Sequence, residues 1–153
     1  MRPLVYLASP YTLGSAAKNV RFACLFFAET VAEGVVDLYP PLWSHVQELV
    51  APVGYAAFLT LDFAVIRRCD ALLRLAAVGE GENDHYYQWE SAGADKEVGF
   101  ANSLGLPVFL SKSSLYNWAT TVYTAPKAPP VPRVLTVPPE VWSTHAFTTE
   151  APQ

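Results

Sequence analysis

Apolar positions along the chain come as short unbroken runs separated by segments that repeat at helical spacing. Pro3-Leu4-Val5-Tyr6-Leu7-Ala8 is such a run and predicts a strand covered on both faces. The turn-rich Ser9-Pro10-Tyr11-Thr12-Leu13-Gly14 ends it. From Ser15 to Glu33, Ala16, Val20, Ala23, Cys24, Phe27 and Val31 recur as the expected inward face of a helix. Lys18, Asn19, Arg21, Glu29, Thr30 and Glu33 take the other side, and Gly34 supplies the stop. Val35–Tyr39 reads as a second strand, closed by Pro40-Pro41, and Trp43–Pro52 as a loop with some helix. A further helix is expected over Gly54–Arg68, with Phe58, Leu61, Val65 and Ile66 inward, then a strand over Asp70–Ala76. After a loop at 77–90, a helix opens at Ser91 and runs to Leu104, Gly105 stops it, and Pro107–Leu110 makes a fourth strand. This alternation predicts an α/β three-layer sandwich with a mostly parallel, Rossmann-like central sheet of about four to five strands. Ligands of such sheets gather beyond the carboxyl ends of the strands, here the loops 9–14, 40–45, 77–90 and 111–117.

Composition narrows the field. The chain has 153 residues, is 52% hydrophobic and 16% charged, and carries a net charge of −4, which suits one domain with a sizeable core. It fits neither a disordered chain nor a basic binder of nucleic-acid polymers. No apolar run reaches the ~18–20 residues that span a bilayer, and the start of the chain lacks a signal-peptide layout, so a cytoplasmic protein with no membrane partner is expected. Cys24 and Cys69 both fall in apolar helical context and are expected as buried free thiols, with no metal or disulfide framework. Seven of the thirteen prolines follow residue 125, which divides the chain into a domain at 1–124 and a Pro-rich tail at 125–153. The tail reads as a strap or loose end, or as an arm reaching a partner subunit through Val134, Leu135, Val137 and Trp142.

Chemistry is expected at Ser91-Ala92-Gly93-Ala94-Asp95-Lys96-Glu97. Ser91 suits an N-cap whose hydroxyl accepts from a first-turn amide, and the small residues after it leave room for an anion at the helix mouth. Glu97 lies nearly two turns deeper. The combination of Tyr6-Leu7-Ala8-Ser9-Pro10-Tyr11, Asp62-x7-Asp70 and Ser91-x-Gly93-x3-Glu97 resembles the nucleoside 2-deoxyribosyltransferase superfamily over roughly residues 3–112. That superfamily includes deoxynucleoside 5′-monophosphate N-glycosidases and the cytidine-monophosphate hydrolases of antibiotic pathways.

The resemblance implies that Glu97 attacks the anomeric carbon of a nucleotide sugar, that Asp62 handles the proton of the departing base, and that Tyr6 stands with them as a catalytic residue. Glu97 then has to be ionised and Asp62 protonated, so their surroundings must separate the two pKa values. Ser91, where the transferases carry an acidic residue, implies a 5′-monophosphate, with Ser9, Gly93 and the backbone after Tyr11 completing the cradle. The arginine that glycosidases often carry in the first loop is missing from Tyr11–Ser15, and Lys18 is the nearest cation. Tyr6, Tyr11, Trp43, His45, Tyr86, Tyr87 and Trp89 are candidates for holding the base. Asn117 and Ser113 are candidates for donation to a neighbouring subunit, because relatives complete their sites across a dimer. Simpler roles stand beside these: Ser91 as a plain cap, Asp62 paired with Arg67 or Arg68, Asp70 as the start of a strand. Glu80, Glu82, Asp84 and Glu90 read as a solvated loop, not a metal site. The expected protein is a hydrolase that needs no cofactor or metal, acts on a small nucleotide or nucleoside, and forms a homodimer or higher homo-oligomer. A base-exchanging deoxyribosyltransferase and a non-catalytic nucleotide-binding module are the alternatives.

Overall fold

The computed structural model describes residues 2–11, 13–41, 46–47, 50–78, 87–88 and 91–123. The opening apolar run is β1 (Leu4–Ala8), followed by α1 (Ala16–Glu33), β2 (Asp37–Tyr39), α2 (Tyr55–Ile66) and β3 (Ala71–Arg74). Then come β4 (Ala77–Val78), β5 (Tyr87–Gln88), α3 (Ala92–Ser103), β6 (Val108–Phe109) and α4 (Lys112–Thr121). The strands β2, β1, β3 and β6 join in that order into a 4-stranded sheet, parallel at every pairing. With helices on both faces this is the Rossmann-like α/β sandwich that the alternation predicts. No helix among the described residues is long and apolar enough to cross a membrane.

The period of two along a strand decides which layer each side chain joins. Val5, Leu7, Ala71 and Leu73 pack with Ala23 of α1 and Leu115 of α4. Tyr6, Ala8 and Leu72 face the other way, against Ile66 of α2 and Ala94 and Ala101 of α3. Arg74, two residues beyond Leu72, therefore shares the face covered by α2 and α3. Leu7, Leu72, Leu73 and Leu115 are fully buried, and each such side chain contributes about 1.5–3 kcal/mol by leaving water. Asp70 opens β3 as expected and clamps it to β1: its carboxylate accepts from the Leu4 N–H at 2.8 Å, and its own N–H donates to the Leu4 carbonyl at 2.7 Å.

Several expectations are corrected. The inward face of α1 carries Asn19, Ala23 and Thr30, backed by Phe22, Phe26 and Phe27, whereas Val31 and Cys24 are exposed. The cause is Asn19, whose side-chain amide donates to the carbonyls of Tyr11 at 3.1 Å and Leu13 at 2.6 Å. That polar anchor sets the rotation of the helix. Cys69 is buried as expected; Cys24 is not. On α2 the inward place expected for Leu61 goes to Asp62, and Leu61 is exposed.

The segment 111–117, expected as a loop, belongs to α4. Its serines, asparagine and threonines have poor helix propensity, so the helix rests on a cap and on docking. The Ser111 hydroxyl accepts from the Ser114 N–H at 3.2 Å, Leu115 fills the core, and Lys112 bridges Glu29 at 3.0 Å and Glu33 at 2.7 Å on α1. The expected loop at 77–90 contains the antiparallel pair β4–β5, with Ala77 opposite Gln88 and Val78 opposite Tyr87. Trp43, Ser44, His45, Tyr86, Trp89, the acidic residues Glu80, Glu82, Asp84 and Glu90, and the tail 125–153 lie outside the described residues.

Candidate active site

Tyr6 lies in the middle of β1 under the seam between α2 and α3. Its hydroxyl donates to Glu97 Oε1 at 2.8 Å, and the Asp62 carboxyl stands close enough to act on it electrostatically. The seam is closed by the Phe63 and Phe100 rings, stacked with centroids 4.2 Å apart, and by the Arg67 guanidinium 4.8 Å above Phe100. Asp62 precedes Phe63 on α2 and Glu97 lies one turn before Phe100 on α3, so that stacking brings both carboxyls to the same phenol. All three groups are withdrawn from water, with Tyr6 fully buried, Glu97 7% exposed and Asp62 9% exposed. The simpler alternative, Asp62 paired with Arg67 or Arg68, is not what these arginines do: Arg67 covers Phe100, and Arg68 donates to the Ala64 carbonyl.

Burial controls the protonation of the cluster. It pushes Glu97 up to about 8, aided by the nearby Asp62 charge and opposed by the Tyr6 hydrogen bond and by Arg74. It pushes Asp62 up to about 6, with the Tyr6 hydroxyl opposing. Tyr6 is raised well above the ordinary phenol range, chiefly by burial and then by the two carboxylates, so it stays a hydrogen-bond donor. Both carboxyls are raised by burial, so the pair holds a proton in common towards neutral pH. Two acids holding one proton between them is the arrangement in which one donates and the other attacks.

The mouth of α3 differs from expectation in its cap. Ser91 is the N-cap residue, with extended backbone, but its hydroxyl makes no capping bond. Asp95 reaches back instead, its Oδ2 accepting from the Ser91 N–H at 3.1 Å while Oδ1 takes Nη2 of Arg74 at 3.1 Å. Gly93 lies beside Tyr55, whose hydroxyl a Cβ there would meet in ordinary contact at 3.5 Å, and Lys96 lies 5.0 Å over the Tyr55 ring. Ser9 follows Ala8 at the carboxyl end of β1, on the strand paired with Arg74 of β3. Tyr11 is half-buried, its carbonyl held by Asn19. Lys18 is exposed on α1. Asn117 is exposed on α4, and Ser113 with it, on the face of the sheet away from Tyr6. Within one chain neither joins the cluster.

Sequence reasoning passed over four neighbours of the site. Tyr39 of β2, paired with Tyr6 in register, stacks on its ring at 6.0 Å, and its phenol is raised by burial and by the Asp62 charge. Tyr55 hangs beside Gly93, Asp95 caps α3, and Arg74 of β3 holds Asp95. Arg74 alone left a readable signal, a guanidinium inside an apolar strand run. Among the described residues no group of three or more His, Cys, Asp or Glu is arranged to hold a metal ion. No protein-family model matches the chain, and no curated protein matches it.

Proposed function

We propose that the protein hydrolyses the N-glycosidic bond of a (deoxy)ribonucleoside 5′-monophosphate, on the pattern of the nucleoside 2-deoxyribosyltransferase superfamily. The observation that supports this most is the meeting of Asp62 and Glu97, far apart in sequence, on the single buried hydroxyl of Tyr6. The ionised Glu97 attacks the anomeric carbon, the carbon–nitrogen bond breaks, and a proton from Asp62 goes to the base. Water then opens the glycosyl ester to free base and sugar 5-phosphate. The fixed carboxylate stabilises an oxocarbenium-like transition state, and protonating the base lowers the barrier further, by ~10²–10⁴-fold. The pair carries one proton between its two pKa values, and attack requires that proton on Asp62 while the Tyr6 hydroxyl donates to the Glu97 carboxylate. Ser9, Ser91 and Gly93, at the carboxyl end of β1 and the mouth of α3, are the groups suited to the phosphate.

A second reading, base exchange on unphosphorylated nucleosides, is favoured by one observation. The Asp95 carboxylate occupies the Ser91 N–H at that mouth, and a carboxylate there repels a phosphate dianion unless Arg74 offsets it. A chromatographic screen of nucleosides and their 5′-monophosphates, each with and without an acceptor base, separates the cases. The expected result is release of base from a monophosphate with no acceptor present. Turnover only with an acceptor base makes the protein a transferase, and binding without turnover makes it a non-catalytic module.

A further inference from the structure

The buried charged side chains among the described residues are Asp62, Glu97 and Arg74. The first two belong to the cluster on Tyr6; the third stands on the same face of the sheet, at the end of β3. Arg74 ends β3, its side chain is 3% exposed, and it donates to the Leu75 carbonyl and to Asp95 Oδ1, whose side chain is 57% exposed. Ion pairs in open water contribute little, but this guanidinium is buried, so the bond to Asp95 offsets part of the cost of desolvating its charge. Arg74 therefore holds Asp95 in one place. Asp95 also accepts from the Ser91 N–H, so the first turn of α3 is fastened both to the sheet and to its own cap. With about 3.6 residues per turn, Asp95 and Glu97 point to nearly opposite sides of the helix. Fastening one fixes where the other faces.

We propose that Arg74 is a positioning residue for Glu97: its clasp on Asp95 fixes the rotation of α3 that aims the Glu97 carboxyl at Tyr6 and Asp62. This rests on the glycosidase function proposed above. The groups facing Glu97 are Tyr6 from β1, Asp62 from α2 and Arg74 from β3, while β6 adds the apolar Val108 on this face of the sheet. On α3 itself Asp95 and Lys96 are exposed. Of the facing groups, Arg74 and the Tyr6 hydrogen bond favour ionisation of Glu97, and Asp62 opposes it.

The test compares the full chain with Arg74→Met, Arg74→Lys and Asp95→Asn. Carbon NMR of labelled glutamate carboxyls, with Glu97 assigned by its loss in Glu97→Gln, follows the titration of Glu97 without substrate. Arg74→Met is expected to move its midpoint upward by about one pH unit, whereas Arg74→Lys keeps it near the wild-type value. The alkaline limb of kcat against pH, measured with the monophosphate that the wild type turns over, moves up in Arg74→Met. In Arg74→Lys the limb returns but kcat recovers only in part, because an ammonium lacks the guanidinium fork. Asp95→Asn lowers kcat without raising the Glu97 midpoint. An unchanged Glu97 midpoint in Arg74→Met, or wild-type kcat in Asp95→Asn, overturns the proposal. If Arg74→Met does not fold, Arg74→Lys and Asp95→Asn decide it. A wild type that turns over no nucleotide defeats the proposed function and leaves the titration test of Arg74 standing.

Discussion

Burial, more than any charged neighbour, sets the behaviour of Glu97 and Asp62, and it fixes the sign of two pH effects. With Asp62 at about 6 and Glu97 at about 8, the pair carries a single proton between those values. Below that window both acids are protonated and no nucleophile exists; above it both are ionised and the base has no proton donor. A bell-shaped kcat/KM profile with its maximum between about 6 and about 8 is expected. The same raised values mean that folding is favoured while the two acids are neutral. That stability is fully present below their unfolded pKa values and is lost as pH rises through the folded ones. Glu97→Gln should therefore melt several degrees above the wild type at pH 9, the gap closing by pH 4, while its turnover falls by about 10³-fold or more. A second substitution addresses the phosphate: Ser91→Asp is expected to shift the ratio of kcat/KM values towards unphosphorylated nucleosides, and an unshifted ratio argues against a phosphate beside Ser91. Tyr6, Asp62 and Glu97 were singled out in the sequence by the resemblance of their motifs to a known family, since hydrophobic periodicity alone marks none of the three as partners. Asp95 was not, since an acid in the first turn of a helix is ordinary, and the Ser91 hydroxyl was credited with the capping that Asp95 performs.

The elements show how far hydrophobic periodicity carries. The four strands of the main sheet and the helices α1, α2 and α3 follow directly from the apolar runs, because burial on one or both faces dictates period two or continuity in strands and a stripe in helices. The rotation of α1 did not follow, because a buried amide, Asn19, outweighed Val31 and Cys24 in deciding which side faces the sheet. α4 was missed for a related reason: Lys112-Ser113-Ser114-Leu115-Tyr116-Asn117 has little apolar stripe, and its helix depends on Leu115 and on the Lys112 bridges to α1. Leu115→Ala is thus expected to destabilise the protein by about 2–5 kcal/mol, read as a lower urea midpoint. Its kcat at low denaturant should stay near wild type, since α4 packs on the face away from Tyr6.

For the whole molecule, the parallel sheet acts as a divider. One face, under α1 and α4, is an apolar core; the other, under α2 and α3, carries every buried charge seen among the described residues. Parallel strands put their carboxyl ends on one edge, which is why Ser9 follows the β1 residue paired with Arg74, whose guanidinium reaches the mouth of α3. The most direct measurement is mass spectrometry of the intact protein, quenched with acid during incubation with a 2′-deoxynucleoside 5′-monophosphate that it consumes. The expected result is an added mass of one deoxyribose phosphate, located by digestion to the peptide containing Glu97 and absent from Glu97→Ala, which also releases no base. Release of free base by Glu97→Ala, or an adduct on any other side chain, would contradict attack by Glu97 on the sugar.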